Sequence, residues 1–310
     1  MFSLLLDHEV DSQYKNEGSN VDVDVSFQKE QENKLDGKPP SSLQDKPIMD
    51  AIVKVLQDRK ISFPEVIDVH NYIAESQTRI LETLEKGHRF NSGIGRAEQF
   101  LLPYSGSSLN LVVFCADLVG STLMTRSLSV DKLATIIQLF TQEASIVVSK
   151  FNGQVLKYVG DAVIAYFPIE VKYSLACDSA INCSYSMITI LREAINPILN
   201  QHGYQELQLK IGIDTSEHSV IQYALGEKSY LDILGYGISM AAKLSSLAMS
   251  NQIIISHAIY IGMHPSLRNK FSEFELDPAI WKYTGKEKFQ PGVFLSKPEP
   301  KDKYYATIKI

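Results

Sequence analysis

The apolar and polar positions change pattern twice along the chain. From Leu109 onward they form a compact alternation of short and long periodic segments. LNLVVFCAD (109–117) is a nearly continuous apolar run closing on an acid, which predicts a buried strand. Thr122 to Lys150 carries apolar residues at helical spacing, and Asn152-Gly153 stops it. VLKYVGDAVIAYFP (155–168) places two β-branched and aromatic runs around a Gly-Asp pair, the pattern of a hairpin. Val171 to about His202 is again helical and ends at Gly203. LQLKIGID (207–214) predicts a strand, residues 215–234 a loop with a possible short strand, 235–249 a helix and QIIIS (252–256) a strand. The order β-α-β-β-α-β with additions predicts an α+β fold, a ferredoxin-like sandwich. No internal repeat is visible.

Ahead of this region the pattern is looser. Residues 7 to about 46 are polar and charged with few large apolar side chains, too few to offset the entropy of ordering, so a disordered tail is expected. Within it VDVDVSF has strand-like alternation but is short and isolated. Residues 47–60 and 65–85 read as two amphipathic helices joined around Ile61-Ser62-Phe63-Pro64. They suit packing or dimerisation. A helix-turn-helix reading meets an acidic second segment without the basic cluster that groove entry needs. Residues 88–108 carry Gly, Ser and Pro punctuation and read as a linker.

Composition narrows the classes. The chain has 310 residues, 45% of them hydrophobic, enough for a sizeable core. A formal net charge of −6 disfavours binding to a nucleic-acid backbone as the main role. The three cysteines, Cys115, Cys177 and Cys183, lack CxxC spacing, which argues against a zinc site or a disulfide framework and suits a reducing, cytoplasmic setting. MFSLLLDHE is too short and lacks the basic leader of a secretory signal, and no run approaches bilayer-spanning length. A soluble protein is expected.

The chemistry concentrates in a few polar residues inside apolar patterns. Asp117 ends the first strand and precedes Leu118-Val119-Gly120-Ser121-Thr122. Alone it reads as a helix cap. The small Gly120, Ser121 and Thr122 also make a turn at a helix start whose N–H groups suit phosphate oxygens. Asp161 alone reads as a turn residue. In the inferred sheet, however, the hairpin tip and the end of the first strand share one edge, so the two carboxylates meet. Without a cation they would repel. Two Mg²⁺ or Mn²⁺ ions would relieve that and bring a triphosphate with them.

FCADLVGST, KYVGDAVIAYF, IGIDTSE and LDILGYGISMAAKL, in that order, resemble the catalytic domain of class III nucleotide cyclases, over about Leu109 to Ser256. The resemblance implies a ferredoxin-like core and attack of a ribose 3′-hydroxyl on the α-phosphate with loss of pyrophosphate. It also implies active sites shared by two head-to-tail protomers. By this resemblance Asp117, Asp161 and the Leu118 carbonyl hold two metal ions. Lys157 and Asp232 read the base edge: Lys donates to adenine N1 and Asp accepts from N6, while guanine would mismatch both, so ATP is favoured over GTP. The chain then divides into a tail (1–46), a helical regulatory or dimerisation segment (47–88), a linker (89–108) and a cyclase-like domain with a C-terminal extension (109–310). A regulatory partner at the N-terminal helices is a further expectation.

Three departures bear on activity. Ser239 stands where the family has an Asn that orients the ribose, and Lys243 where it has an Arg that stabilises charge on the α-phosphate. Ser is shorter, and Lys lacks the planar fork of Arg. The loop after Thr215 keeps only Gly226 of the family's glycines, and Lys286 is a weak candidate for a triphosphate contact. Three functions remain open: a cyclase making cyclic AMP, a nucleotide-binding or dimerising module without turnover, and a cyclase for UTP or CTP. His218 and His257 lie near the motifs without a Ser/Asp constellation and read as loop or capping residues.

Overall fold

The computed structural model describes residues 69–86, 94–225, 228–275 and 303–308. The polar tail, the helix expected at 47–60, Gly226 and Lys286 lie outside these described residues.

Among the described residues, two α-helices, α1 (Val69–Lys86) and α2 (Ile94–Leu101), and a 3-10 turn (Leu102–Tyr104) precede the sheet. The sheet then begins with β1 (Ser108–Leu118), followed by α3 (Ser121–Ser127), α4 (Val130–Lys150), β2 (Gln154–Val159) and β3 (Ala162–Pro168). Next come α5 (Tyr173–Ile190), a π-helical turn (Leu191–Ile195) and α6 (Asn196–Gln201). β4 (Leu209–Leu225), β5 (Lys228–Leu234), α7 (Tyr236–Leu247) and β6 (Gln252–Ser256) follow. The chain closes with α8 (His257–Gly262), α9 (Pro265–Arg268), β7 (Phe271–Phe274) and β8 (Tyr304–Thr307).

The sheet runs β2-β3-β1-β4-β6-β8-β7, with β5 paired to β4. All pairings are antiparallel except β4 with β6. The first four strands have the order expected of a ferredoxin-like unit, and the α+β architecture matches the sequence reading.

Strand alternation splits β1 between two cores. Val112, Phe114, Ala116 and Leu118 face α4 and α5, where Phe114 meets Phe167 edge-on at 6.4 Å. Leu111, Val113 and Cys115 face the other way, onto α2 and α7. Each fully buried side chain of this size contributes about 1.5–3 kcal/mol. The near-continuous apolar run in the sequence is the signature of this two-sided burial. Gly212 decides how closely α7 lies on the sheet: a Cβ there would stand 2.1 Å from the Ala241 carbonyl oxygen.

The structure differs from the sequence reading at several places. The long helix from Thr122 is two helices, because Ser129 takes an extended N-cap conformation (φ −64°, ψ 153°) ahead of α4. Of residues 215–234, expected mostly as loop, 215–225 form the outer part of β4 and 228–234 form β5. With few glycines, this stretch keeps the β-branched and aromatic content that supports pairing, as in Tyr223 opposite Tyr230. Inside the expected linker, α2 buries Ala97 and Leu101, and Tyr166 Oη donates to the Ala97 carbonyl at 3.0 Å.

α1 packs on α4 and the π turn. Glu143, 2% exposed on α4, accepts from Ser76 Oγ at 2.6 Å and from Arg79 Nε and Nη2 at 3.0 and 2.8 Å. Gln77 Nε2 donates to the Glu193 carbonyl at 3.0 Å. That carbonyl lies in the π turn, where the regular helical ladder is interrupted.

Candidate active site

Three groups of polar residues stand out of these apolar layers. The first lies where β1 ends beside the β2–β3 tip. Gly160 and Asp161 link the two strands. Gly160 has φ +64° and Asp161 keeps a negative φ, the pattern of a type II′ hairpin turn. The register Ala116↔Val163 carries Leu118 to the level of Asp161, and the Leu118 N–H donates to Asp161 Oδ2 at 3.2 Å. Asp117 is half-buried beside it. Burial, the Asp161 charge and a hydrogen bond shared with Asp161 push its carboxyl up to about 6. The same field acts behind the pair: burial first, then Asp117 and Asp161, pushes the Cys115 thiol up to about 12.

Lys210 offsets part of this repulsion. It stands directly opposite Asp117 in the β1–β4 register and draws the Asp117 pKa down. The sequence reading missed it. The signal was present: a charged residue at the head of KIGI, on the same strand face as Gly212.

Gly120 closes the edge. It adopts the left-handed conformation (φ 73°, ψ 16°) and caps α3, its carbonyl accepting from Leu123 and Met124 N–H. Ser121 and Thr122 occupy the first turn of α3, where N–H groups have no partner within the helix. Gly120 and Thr122 are exposed and Ser121 is half-buried.

The second group is an ion pair. The β2–β3 register shifts between Val155 and Lys157. This bulge lets Leu156 enter the core (5% exposed) while the adjacent Lys157 reaches β5. Lys157 Nζ meets Asp232 Oδ2 at 2.5 Å, and Asp232 Oδ1 accepts from the Ile233 N–H at 2.9 Å. Lys157 is 37% exposed and Asp232 17%. So open a pair adds only about 0–1 kcal/mol to stability. What it offers is a hydrogen-bond donor beside an acceptor at an accessible edge.

The third group is on α7. Met240, Ala241, Leu244 and Ser245 face the sheet, with Ser245 Oγ donating to the Lys210 carbonyl at 3.0 Å. Ser239, exposed, and Lys243, half-buried, lie one turn apart on the other side. His218 is buried beneath the start of α7, where its ring accepts a backbone hydrogen bond, in keeping with the capping reading. His257 instead stacks on Tyr305, with Nδ1 3.1 Å from its hydroxyl.

Among the described residues, no cluster of three or more His, Cys, Asp or Glu side chains could enclose a metal ion. The Asp117–Asp161 pair nevertheless fits a divalent cation. It presents hard oxygen ligands and leaves further coordination positions to substrate oxygens and water. No helix among the described residues is long and apolar enough to cross a membrane.

This arrangement sets an acidic pair at the β1/hairpin edge of a βαββαβ sheet. The family model for the adenylate and guanylate cyclase catalytic domain matches residues 104–290, and the chain belongs to that class III family. Curated relatives include a cytidylate cyclase from Escherichia coli, 22% identical over 57% of this chain and 41% of its own length. A uridylate cyclase from Rhodovulum sp. is 28% identical over 43% and 56% respectively. The chain thus spans about half of these relatives. Among solved structures, the adenylyl cyclase CyaB from P. aeruginosa superposes with a TM-score of 0.52 at 18% identity, over 66% of this chain and 96% of that one. The guanylyl cyclase Cya2 gives 0.54 at 16% identity, over 66% and 95%. These two likenesses concern the fold.

Proposed function

We infer that the protein converts ATP to 3′,5′-cyclic AMP and pyrophosphate. The observation that carries this reading is the Lys157–Asp232 pair, a donor beside an acceptor at an open edge. Adenine presents an acceptor at N1 and a donor at N6, so both groups are satisfied. Guanine and uracil present the opposite polarity and would leave both mismatched, at about 1–3 kcal/mol per buried unpaired group.

Asp117, Asp161 and the Leu118 carbonyl hold the metal site. Two divalent cations, Mg²⁺ or Mn²⁺, would supply the positive charge that makes the ribose 3′-hydroxyl acidic and neutralises the triphosphate. The N–H groups of Gly120, Ser121 and Thr122 bind phosphate oxygens at the start of α3, and Lys210 adds a cation beside them. The Ser239 hydroxyl orients the ribose. Lys243 balances charge on the α-phosphate as the 3′-oxygen bonds to phosphorus and the bond to the bridging oxygen of pyrophosphate breaks.

A head-to-tail second copy completes the cleft. The family resemblance supports this, as do the exposed side chains of Tyr223, Tyr230, Leu234 and Tyr236 around β5. Three buried, unpaired cysteines agree with a cytoplasmic setting.

CTP is the second reading. Cytosine shares adenine's polarity at N3 and N4, and cytidylate cyclases are among the relatives. A nucleotide-binding module without turnover is the third, supported by Ser239 and Lys243 in place of the family's Asn and Arg. The test is incubation of the purified protein with each of the four NTPs and Mn²⁺, measuring cyclic product and pyrophosphate. Cyclic AMP that disappears in Asp117→Ala supports the first reading. Cyclic CMP in its place selects the second. Nucleotide-induced stabilisation without product selects the third. Cyclic GMP or UMP as the main product overturns the assignment of base polarity.

A further inference from the structure

Helix α7, which carries Ser239 and Lys243, starts without a side-chain cap of its own. Its N-cap residue is Gly235, which offers no oxygen to the first-turn N–H groups. Two side chains of β4 take that part. Ser216 Oγ accepts from the Gly237 N–H at 2.8 Å, and His218 Nε2 accepts from the Ile238 N–H at 3.1 Å. These are two of the four donors that a helix start leaves without an internal partner.

Packing alone does not account for the imidazole. The ring is fully buried, and with Nε2 accepting, the proton sits on Nδ1, which makes no hydrogen bond of ordinary geometry among the described residues. A buried donor left so is unfavourable, and an apolar side chain would avoid it. The backbone above is shaped to the ring. A Cβ on Gly235 would stand 2.7 Å from Cδ2, and one on Gly237 3.0 Å from Cε1. The Gly-Tyr-Gly at 235–237, the Ser216 hydroxyl and the His218 ring therefore form one fitted unit.

We propose that Ser216 and His218 are positioning residues, a socket on β4 that sets the first turn of α7 and so the direction of Ser239 and Lys243. Ser239 follows directly on Ile238, whose N–H the ring holds, and Lys243 lies one turn further on. The catalytic consequence rests on the reading of Ser239 and Lys243 given above; the socket itself does not.

Amide hydrogen exchange in the full chain tests the socket, and steady-state kinetics test its consequence. In His218→Leu, which keeps bulk but removes the acceptor, the Gly237 and Ile238 amides should exchange about tenfold faster. The kcat should fall by a similar factor with a smaller change in the KM for nucleotide, since Lys243 is assigned to charge that develops as the bond to pyrophosphate breaks. His218→Gln, whose amide oxygen can reach the Nε2 position, should recover most of both. Ser216→Ala should speed exchange chiefly at Gly237, and it decides the matter if His218→Leu does not fold. Exchange within twofold of wild type in these variants overturns the socket. Faster exchange with kcat and KM unmoved overturns the positioning role. If the wild type makes no cyclic nucleotide, the exchange result still stands or falls by itself, and only the reading of Ser239 and Lys243 fails.

Discussion

Lys157 and Asp232 are 75 positions apart in the chain, yet their side chains meet at 2.5 Å across β2 and β5. The pair adds little stability, so its removal should act on substrate choice. Lys157→Ala should narrow the preference for ATP over GTP by about 5–150-fold, the equivalent of 1–3 kcal/mol. The thermal midpoint should barely move. Comparing kcat/KM for the two nucleotides in wild type and variant checks this, and an unchanged ratio would remove the pair from base reading.

The acidic edge sets activity against stability. With no metal bound, Asp161→Asn relieves the repulsion that raises the Asp117 pKa while keeping an oxygen to accept from the Leu118 N–H. The variant should therefore be at least as stable as wild type in chelator at pH 7.5, and Mn²⁺ should no longer raise its melting temperature. Cyclic-nucleotide formation should fall by at least about 100-fold. A variant that is both less stable in chelator and still responsive to Mn²⁺ would contradict the metal role.

His218 ties stability to pH. Burial pushes its imidazole pKa down to about 4, from 6.5 in the unfolded chain. Between these values the unfolded chain binds the extra proton, so the histidine's contribution is full above about pH 6.5 and is lost as pH falls toward 4, by about 3 kcal/mol in all, while the raised Asp117 carboxyl acts in the opposite sense. Urea unfolding of wild type and His218→Leu at pH 7.5, 5.5 and 4.5 should show this slope in the difference between the two proteins. Parallel curves for the two proteins would show that the histidine does not supply the slope.

Glu143 anchors α1. Arg79→Ala would leave a carboxylate at 2% exposure with only Ser76 Oγ as partner among the described residues. The expected loss is about 3 kcal/mol, as for one partner removed from a buried pair. Arg79→Ala combined with Glu143→Leu should regain part of it, because no charge is then left buried. Denaturant midpoints of the single and double variants measure both. A double variant no better than Arg79→Ala would mean that α1 is held by packing of Tyr72 and Ile80 rather than by this pair.

Much of this protein was legible from residue order. The run LNLVVFCAD announced a strand buried on both faces, the Gly-Asp between two apolar runs announced the hairpin, and the order of elements announced the α+β sheet. These signals are local: periodicity and turn chemistry act over a few residues, so the chain carries them without reference to its partners. The meeting of Asp117 with Asp161 also followed from them, once strand order placed both at one edge. What only the tertiary structure decided depends on residues brought close from distant segments. The bulge at Leu156 aims Lys157 at Asp232. Lys210 lies opposite Asp117 through strand register, and Ser216 and His218 meet the start of α7 beneath Gly235 and Gly237. Residues 215–219 became strand by pairing with β1, and 219–225 by pairing with 228–234, while α1 was docked by a carboxylate 64 positions from its arginine. Pairing, register and burial are properties of contacts between segments, and no periodicity within one segment encodes them.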